Sequence, residues 1–399
     1  MNFFEFLKIK SFISNISGYL VDFTDRLHFV YTPVIFISAF SFLGVENFYV
    51  KVIYCTVPFE FSKAWDDFVQ NFCWVQPTYH LLQDGRFPKN SEKSYIETNY
   101  HQWTPIVFLL FSMLSFIPYL IWKKLSGFCG INIMSKLRNL KLKLNYQNQD
   151  SLEELSKEIS CSIVDYLESR LTDYCGKFSR ANLYQKYKSR FQNFGFIRYF
   201  YHRSGNALFT YYVMIKILFV INEVLQIYLL KKFLAQVKLT FGYDILLNII
   251  QGRTWESTGL FPRIVGCDVE ISQTGQNVNR SFLCVLPINM IYEKIFILLW
   301  FWLIFCSLLS FISIIYWSIY LCPVKSRKSM IEKMLLIQEI DIVPDKISFI
   351  KFLRLDGIFI LRMLALNNSL YCSSIICKDV YKIYNHKRKH WKNFEEYNL

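Results

Sequence analysis

Four long apolar stretches constrain this chain more than anything else in it: residues 27–45, 105–122, 207–230 and 295–321. A helix rises about 1.5 Å per residue, so roughly 20 apolar residues cross a hydrocarbon core about 30 Å thick. The first, second and fourth stretches contain no Asp, Glu, Lys or Arg. The second, within "HQWTPIVFLLFSMLSFIPYLIWKK", is preceded by Trp103 and closed by Trp122, Lys123 and Lys124. Indole rings settle in the headgroup layer and lysines reach up to it, whereas a helix buried in a soluble core has no use for such flanks. Composition agrees, because 19% of the residues are charged and mean hydropathy is +0.22, against about one quarter charged in soluble domains. The sequence predicts an all-α integral membrane protein with four transmembrane helices.

The third stretch is the polar one, with Lys216, Asn222, Glu223 and Gln226. A charge at mid-bilayer costs several kcal/mol unless it is paired or faces protein or water. Lys216 and Glu223 are seven residues apart and share one helical face. That face either packs inward against other helices or lines a pore, and the residues alone leave both open.

Lys and Arg are unevenly shared among the connecting segments. Segments 1–26, 123–206 and 322–399 hold 3, 15 and 14, against 5 and 6 in 46–103 and 231–293. Lys123, Lys124, Arg203, Lys325, Arg327 and Lys328 lie beside span ends, where the positive-inside rule has most force. Both termini are therefore expected in the cytoplasm, and the net charge of +14 reads as orientation and contact with membrane lipids, with no nucleic-acid partner. The opening "MNFFEFLKIKSFISNISG" mixes Glu and Lys with apolar residues and does not read as a cleavable signal peptide.

The cysteines follow the same division. Of 11, Cys55 and Cys73 fall in the first outer loop and Cys267 and Cys284 in the second. An even number on the oxidising side predicts two disulfides. Four cysteines allow three pairings; spacing does not choose between bonds within loops and bonds across them. Cys129, Cys161, Cys175, Cys322, Cys372 and Cys377 fall on the reducing side and Cys306 inside the fourth span, where each reads as an ordinary thiol. Cys372 and Cys377 lack a second pair for zinc.

Local motifs then point to a family. "VIYCTVPFEFSKAWDDFVQNFCWVQPTY" resembles the first extracellular loop of the innexins, the gap-junction proteins of invertebrates, through Cys55, Pro58, Phe61, Trp65, Cys73, Trp74, Thr78 and Tyr79. Tyr100-His101-Gln102-Trp103-Thr104-Pro105 is similar to the family's Tyr-Tyr-Gln-Trp-Val signature, with His101 and Thr104 as departures. Phe261-Pro262-Arg263, Cys267-Asp268, Cys284 and Glu293-Lys294-Ile295-Phe296 match in the second loop, Asp25-Arg26-Leu27 before the first span, and "LDGIFILRM" in the tail. Tyr100, His101, Gln102 and Trp103 read as a headgroup-level anchor at the outer mouth of the second span. A histidine there titrates near neutral pH if solvated, a secondary reading of His101.

The resemblance implies cross-loop bonds, Cys55 with Cys284 and Cys73 with Cys267. It also implies an eight-subunit ring, homomeric or mixed with other innexins, docking onto a ring of the neighbouring cell in the plasma membrane. The domains would be a pore funnel (1–26), spans at 27–45, 105–122, 207–230 and 295–321, extracellular loops 46–103 and 231–293, a cytoplasmic loop 123–206 and a cytoplasmic tail 322–399. In the funnel, Asn2, Glu5 and Lys8 recur every three residues opposite Phe3, Phe4, Phe6, Leu7 and Ile9, which fits a short amphipathic helix in the pore mouth; a helix on the inner leaflet is the competing arrangement. Asn279-Arg280-Ser281 is the one Asn-x-Ser/Thr sequon expected outside. A glycan at Asn279 that obstructed docking would leave a pannexin-like hemichannel open to the exterior. A claudin-like adhesion protein without conduction is the remaining alternative.

Nothing calls for a reaction or a cofactor. There is no Gly-rich phosphate loop, no His-Glu-x-x-His and no Gly-x-Ser-x-Gly, and the six histidines are scattered. "HKRKHWK" is too basic to draw a metal and suits anionic lipid. Helical periodicity in 151–171, with Asp150 or Ser151 as cap, and two helical pieces around Asp356-Gly357 predict a helical cytoplasmic dome.

Overall fold

The computed structural model describes residues 21–49, 52–59, 61–80, 97–98, 100–128, 149–175, 206–234, 261–273, 275–340 and 346–396, together with positions 243, 247, 250 and 251. The first span is α1 (Phe23–Arg26), a π-helical turn (Leu27–Tyr31) and α2 (Thr32–Tyr49). The wide turn directly precedes Pro33, which has no N–H to give the carbonyl four residues back and whose ring crowds it. After β1 (Tyr54–Cys55), α3 (Lys63–Val75), β2 (Thr78–His80) and β3 (Glu97–Thr98) comes the second span, α4 (Tyr100–Phe128). The central loop contains α5 (Gln149–Cys175), whose start places Asp150 and Ser151 inside its first turn instead of capping it. The third span is α6 (Ala207–Phe233), followed by β4 (Ile264–Gln273), β5 (Gln276–Val285) and the fourth span, α7 (Ile288–Leu321). The tail is α8 (Val324–Leu336), α9 (Lys346–Asn367) and α10 (Leu370–Glu396).

Among the described residues four helices are thus long and apolar enough to cross a membrane, Phe23–Val45, Tyr100–Ser126, Ala207–Phe233 and Ile288–Leu321. The chain divides into two compact units, and each span contributes residues to both.

One unit, Tyr31–Phe116 with Ile221–Leu308, holds the outer loops. They form a five-stranded antiparallel sheet in the order β1-β5-β4-β2-β3, an element absent from the sequence reading. In β4, Val265, Cys267, Val269 and Ile271 are buried while Glu270 faces out, the period-two pattern of a strand with one covered face. β4 and β5 meet in a two-residue hairpin loop, where Gly275 takes φ +84°, a conformation suited to glycine. Gly266 serves a different need. A Cβ there would lie 2.3 Å from Tyr79 Cε2, so the bare backbone makes room for the Tyr79 ring.

The other unit, Met1–Val30, Ile117–Val220 and Leu309–Leu399, holds the helical dome. α10 packs on α5, α8 and α9. Leu155, Ile159, Ile163, Tyr166 and Leu167 of α5 are buried, the face that the sequence periodicity marks. Ser156 donates to Asp379 at 2.8 Å and Lys387 pairs with Glu168 at 2.9 Å. The break in α9 falls at Arg354 (φ 51°), two residues before Asp356-Gly357. Gly357 instead permits close packing, since a Cβ there would meet Leu353 at 3.1 Å and Leu167 at 3.3 Å.

Candidate functional site

The outer loops are bonded into one body. β1 lies opposite β5 so that Cys55 faces Cys284 across the ladder, and the structure joins them. α3 turns Val69 and Cys73 inward, and Cys73 is bonded to Cys267 of β4. Each bond therefore ties the first loop to the second, across 229 and 194 residues. Closing the larger loop removes about 5 kcal/mol of unfolded-chain entropy in the chain-entropy account, and the nested second bond, which then closes a smaller ring, removes less. Cys55, Cys73 and Cys284 place their sulfurs within 4.8 Å of one another, but disulfide sulfurs are no thiolates and hold no metal.

The start of α4 is locked to this cap. Gln102 Nε2 donates to the carbonyls of Trp74 and Val75, and the His101 ring lies 4.7 Å from that of Trp74. Tyr100 meets Phe261 and Tyr292 edge-on. Tyr292 donates to the His101 carbonyl at 2.9 Å. Pro105 lacks the N–H that this carbonyl would otherwise receive in a helix. The signature read as a headgroup anchor therefore splits. Trp103, 57% exposed, can reach a headgroup layer, whereas Tyr100 and His101 are buried and Gln102 is half-buried. The side chains of His101 and Gln102 brace α4 against α3, and that of Tyr100 packs on Phe261 and on Tyr292 of α7, so these three are engaged by protein and the solvated histidine on which pH sensing would depend is not found.

Aromatic rings lead into α3 and continue along it, Phe61 before the helix and Trp65, Phe68 and Phe72 on it, in consecutive contact at 5.6–5.9 Å. Arg280 of β5 lies over Phe61 at 5.3 Å. Tyr79 donates to Asp268 at 2.7 Å, and burial together with that bond pushes its hydroxyl above the ordinary tyrosine range.

Within the spans, the faces divide by chemistry. Exposed positions inside the apolar parts of α4, α6 and α7 are apolar or tyrosine, among them Leu110, Met113, Ile221, Tyr228, Leu298 and Phe305. α2 exposes Ser38 and Ser41 beside Val34 and Ile37. Only 28% of the most apolar window of α7 is buried within the chain, which leaves apolar surface for lipid or another subunit. Of the polar residues of α6, Lys216, Glu223 and Gln226 are buried and Asn222 is half-buried. Gln226 donates to Ser115 at 2.9 Å. A stripe of these residues facing a pore is excluded.

At the start of the first span lies a charged network that sequence reasoning did not assemble. Asp22 caps α1, its carboxylate accepting the Asp25 N–H at 3.0 Å while Asp25 accepts the Asp22 N–H at 3.1 Å. Lys216 reaches both, at 2.9 Å and 2.8 Å. Trp317 and Ser313 donate to Asp22 at 2.8 and 3.1 Å, and Tyr212 to Asp25 at 2.7 Å. Burial alone would raise the Asp22 carboxyl, but the Lys216 ammonium and the hydrogen bonds from Thr24 and Trp317 outweigh it and hold the group well below its usual range. Arg26 donates to Asn367 of α9. Asp356 of α9 accepts from the Phe209 N–H in the first turn of α6 at 3.1 Å and from Tyr166 of α5 at 2.9 Å, so a tail carboxylate caps the third span. The Asp25-Arg26 and Leu355-Asp356-Gly357 words of the motif comparison mark these places; their partners, at sequence separations of 147 to 341, carry no local signal.

The proposed funnel residues Asn2, Glu5 and Lys8 lie outside the described residues. Asn279 is exposed on β5. No catalytic or cofactor-holding constellation occurs among the described residues; what the arrangement offers is a braced outer cap, four spans with uncovered faces and a polar lock at their cytoplasmic end.

Comparison with known proteins agrees with this architecture. A family model described as Innexin matches residues 21–384. Innexin unc-9 of Caenorhabditis elegans is 33% identical over 352 residues, 86% of this chain and 87% of that protein. Innexin-5 of the same organism is 27% identical over 380 residues, covering 91% and 80%. Innexin eat-5 is 29% identical over 303 residues, covering 75% and 66%.

Proposed function

This chain belongs to the innexin family, and from that premise we propose that it is the subunit of a gap-junction channel, passing ions and small metabolites passively between adjacent cells. It is a multi-pass protein of the plasma membrane at cell junctions, with both termini in the cytoplasm and lipid around its apolar faces. A single four-helix subunit has no room for a hydrated conduit, so several copies, or copies mixed with other innexins, surround one by cyclic symmetry. A ring of eight docking onto a ring of the neighbouring cell completes the path. The observation that carries this reading is the cap, in which both disulfides tie one outer loop to the other and give a docking surface of fixed shape.

Within the ring, α2 faces the water path. Exposed hydroxyls at Ser38 and Ser41 suit water better than lipid, while the exposed faces of the other spans suit hydrocarbon. We further propose that the fixed charges of the N-terminal segment, Glu5 and Lys8 beside Asn2, bias which ions enter. The test is dye transfer between contacting cells measured beside dye uptake by isolated ones. Transfer between pairs supports the junctional reading. Uptake without transfer contradicts it.

A further inference from the structure

The sequon Asn279-Arg280-Ser281 sits in the middle of β5, and the channel reading gives it no task. Every residue from 276 to 281 is exposed. The strand has two edges. One pairs with β4 along its whole length, whereas the other meets β1 only at Tyr54–Val285 and Cys55–Cys284. Over 276–281 that second edge has no strand beside it among the described residues.

Such an edge presents a row of unpaired N–H and C=O groups to any other chain, and folded proteins blunt it with lysine, proline, a bulge or a cover. Residues 276–281, Gln-Asn-Val-Asn-Arg-Ser, contain neither lysine nor proline. The one charge, Arg280, is turned onto the Phe61 ring. Register places Asn279 opposite Glu270 and Ser281 opposite Asp268. Alternation sets these four on the face opposite buried Cys267, Val269 and Ile271. Asn279 therefore faces outward, six residues or roughly 20 Å along the strand from Val285. The hairpin base carries the disulfides, so the sequon shares their oxidising compartment, where asparagine in Asn-x-Ser is glycosylated.

We propose that Asn279 carries an N-linked glycan and that its bulk covers the free edge of β5 against pairing with a strand of another chain. The inference rests on the extracellular placement of this hairpin in the proposed junctional channel, and it holds together with that reading only where the glycan leaves ring-to-ring docking unobstructed. The test uses full-length protein from animal cells, as wild type, N279Q, S281A and S281T, run on gels with and without glycosidase. Wild type and S281T, which keeps the sequon, shift by the mass of one glycan; N279Q and S281A do not. An unshifted wild type overturns the proposal. Non-reducing gels of the same samples separate the two possible failures: disulfide-dependent mobility without a glycan shift means that the hairpin is outside and Asn279 is bare, whereas loss of both means that the placement itself is wrong. For the edge, N279Q gives at least twofold more aggregate in size-exclusion chromatography, and N277K, which puts a lysine on the same face, reverses it in the N279Q background. N279Q as monodisperse as wild type overturns the covering role.

Discussion

The Tyr292 hydroxyl donates at 2.9 Å to the carbonyl of His101, the group that Pro105 leaves without a helical donor. A buried carbonyl deprived of its partner costs about 1–3 kcal/mol. Tyr292→Phe keeps the ring packed on Tyr100 and removes only the donor. A fall of a few degrees in the thermal midpoint of detergent-solubilised protein is expected, and an unchanged midpoint would show that the carbonyl is served otherwise.

Lys216 holds two carboxylates, Asp25 buried and Asp22 largely covered. Removing one partner of a buried pair costs about 3–5 kcal/mol, because the remaining charge is left uncompensated. Lys216→Met should therefore abolish surface expression or lower stability by that amount. Adding Asp22→Asn and Asp25→Asn should recover a large part of it, since the uncompensated charges are then gone. The folded Asp22 carboxyl lies below its ordinary value of 3.8, so its contribution is present above that value and is lost as pH falls through the folded one. Mild acidification of the cytoplasm leaves it intact. A triple variant no better than Lys216→Met would contradict the pairing.

Asp356 joins α5, α6 and α9. Asp356→Ala removes the helix cap on Phe209 and the partner of Tyr166, and a loss of about 2–3 kcal/mol is expected. Tyr166→Phe removes only the bond from Tyr166 and should cost about 1 kcal/mol. Limited proteolysis of the cytoplasmic dome checks the order: cleavage is faster in Asp356→Ala than in Tyr166→Phe. Equal rates would deny Asp356 its second role.

Burial pushes the Cys377 thiol up to about 12. At neutral pH it is protonated as well as covered, and a thiolate is what reacts. Cys161 and Cys322 are exposed. A maleimide added to permeabilised cells should modify Cys161 and Cys322 and spare Cys377, as read by mass spectrometry. Labelling of Cys161 or Cys322 on intact cells by an impermeant reagent would overturn the orientation.

Much of this was legible in the sequence because its signals are local. Long apolar runs, three of the four without charges, mark the spans, and lysines beside their ends mark the cytoplasmic side. The α5 stripe from Leu155 to Leu167 follows from helical period alone. The sheet was legible and missed: Val265, Cys267, Val269 and Ile271 alternate with Gly266, Asp268 and Glu270 before a Thr-Gly turn, a strand-and-hairpin pattern overshadowed by the membrane helices. His101 misled because a ring near a membrane boundary can face lipid or protein with equal local logic, and only Trp74 decides. Asp22 with Lys216, and Asp356 with Phe209, are 194 and 147 residues apart; no periodicity reports such pairs.

The central claim is that the cap formed by the cross-loop disulfides lets two rings meet and conduct. Conductance between paired cells, each voltage-clamped and expressing this protein alone, tests it most directly, with Cys73→Ser and Cys55→Ser beside wild type and surface biotinylation as control. The account predicts a junctional current for wild type and none for either variant at matched surface levels. A surface-expressed Cys55→Ser or Cys73→Ser protein that couples cells as well as wild type would contradict it.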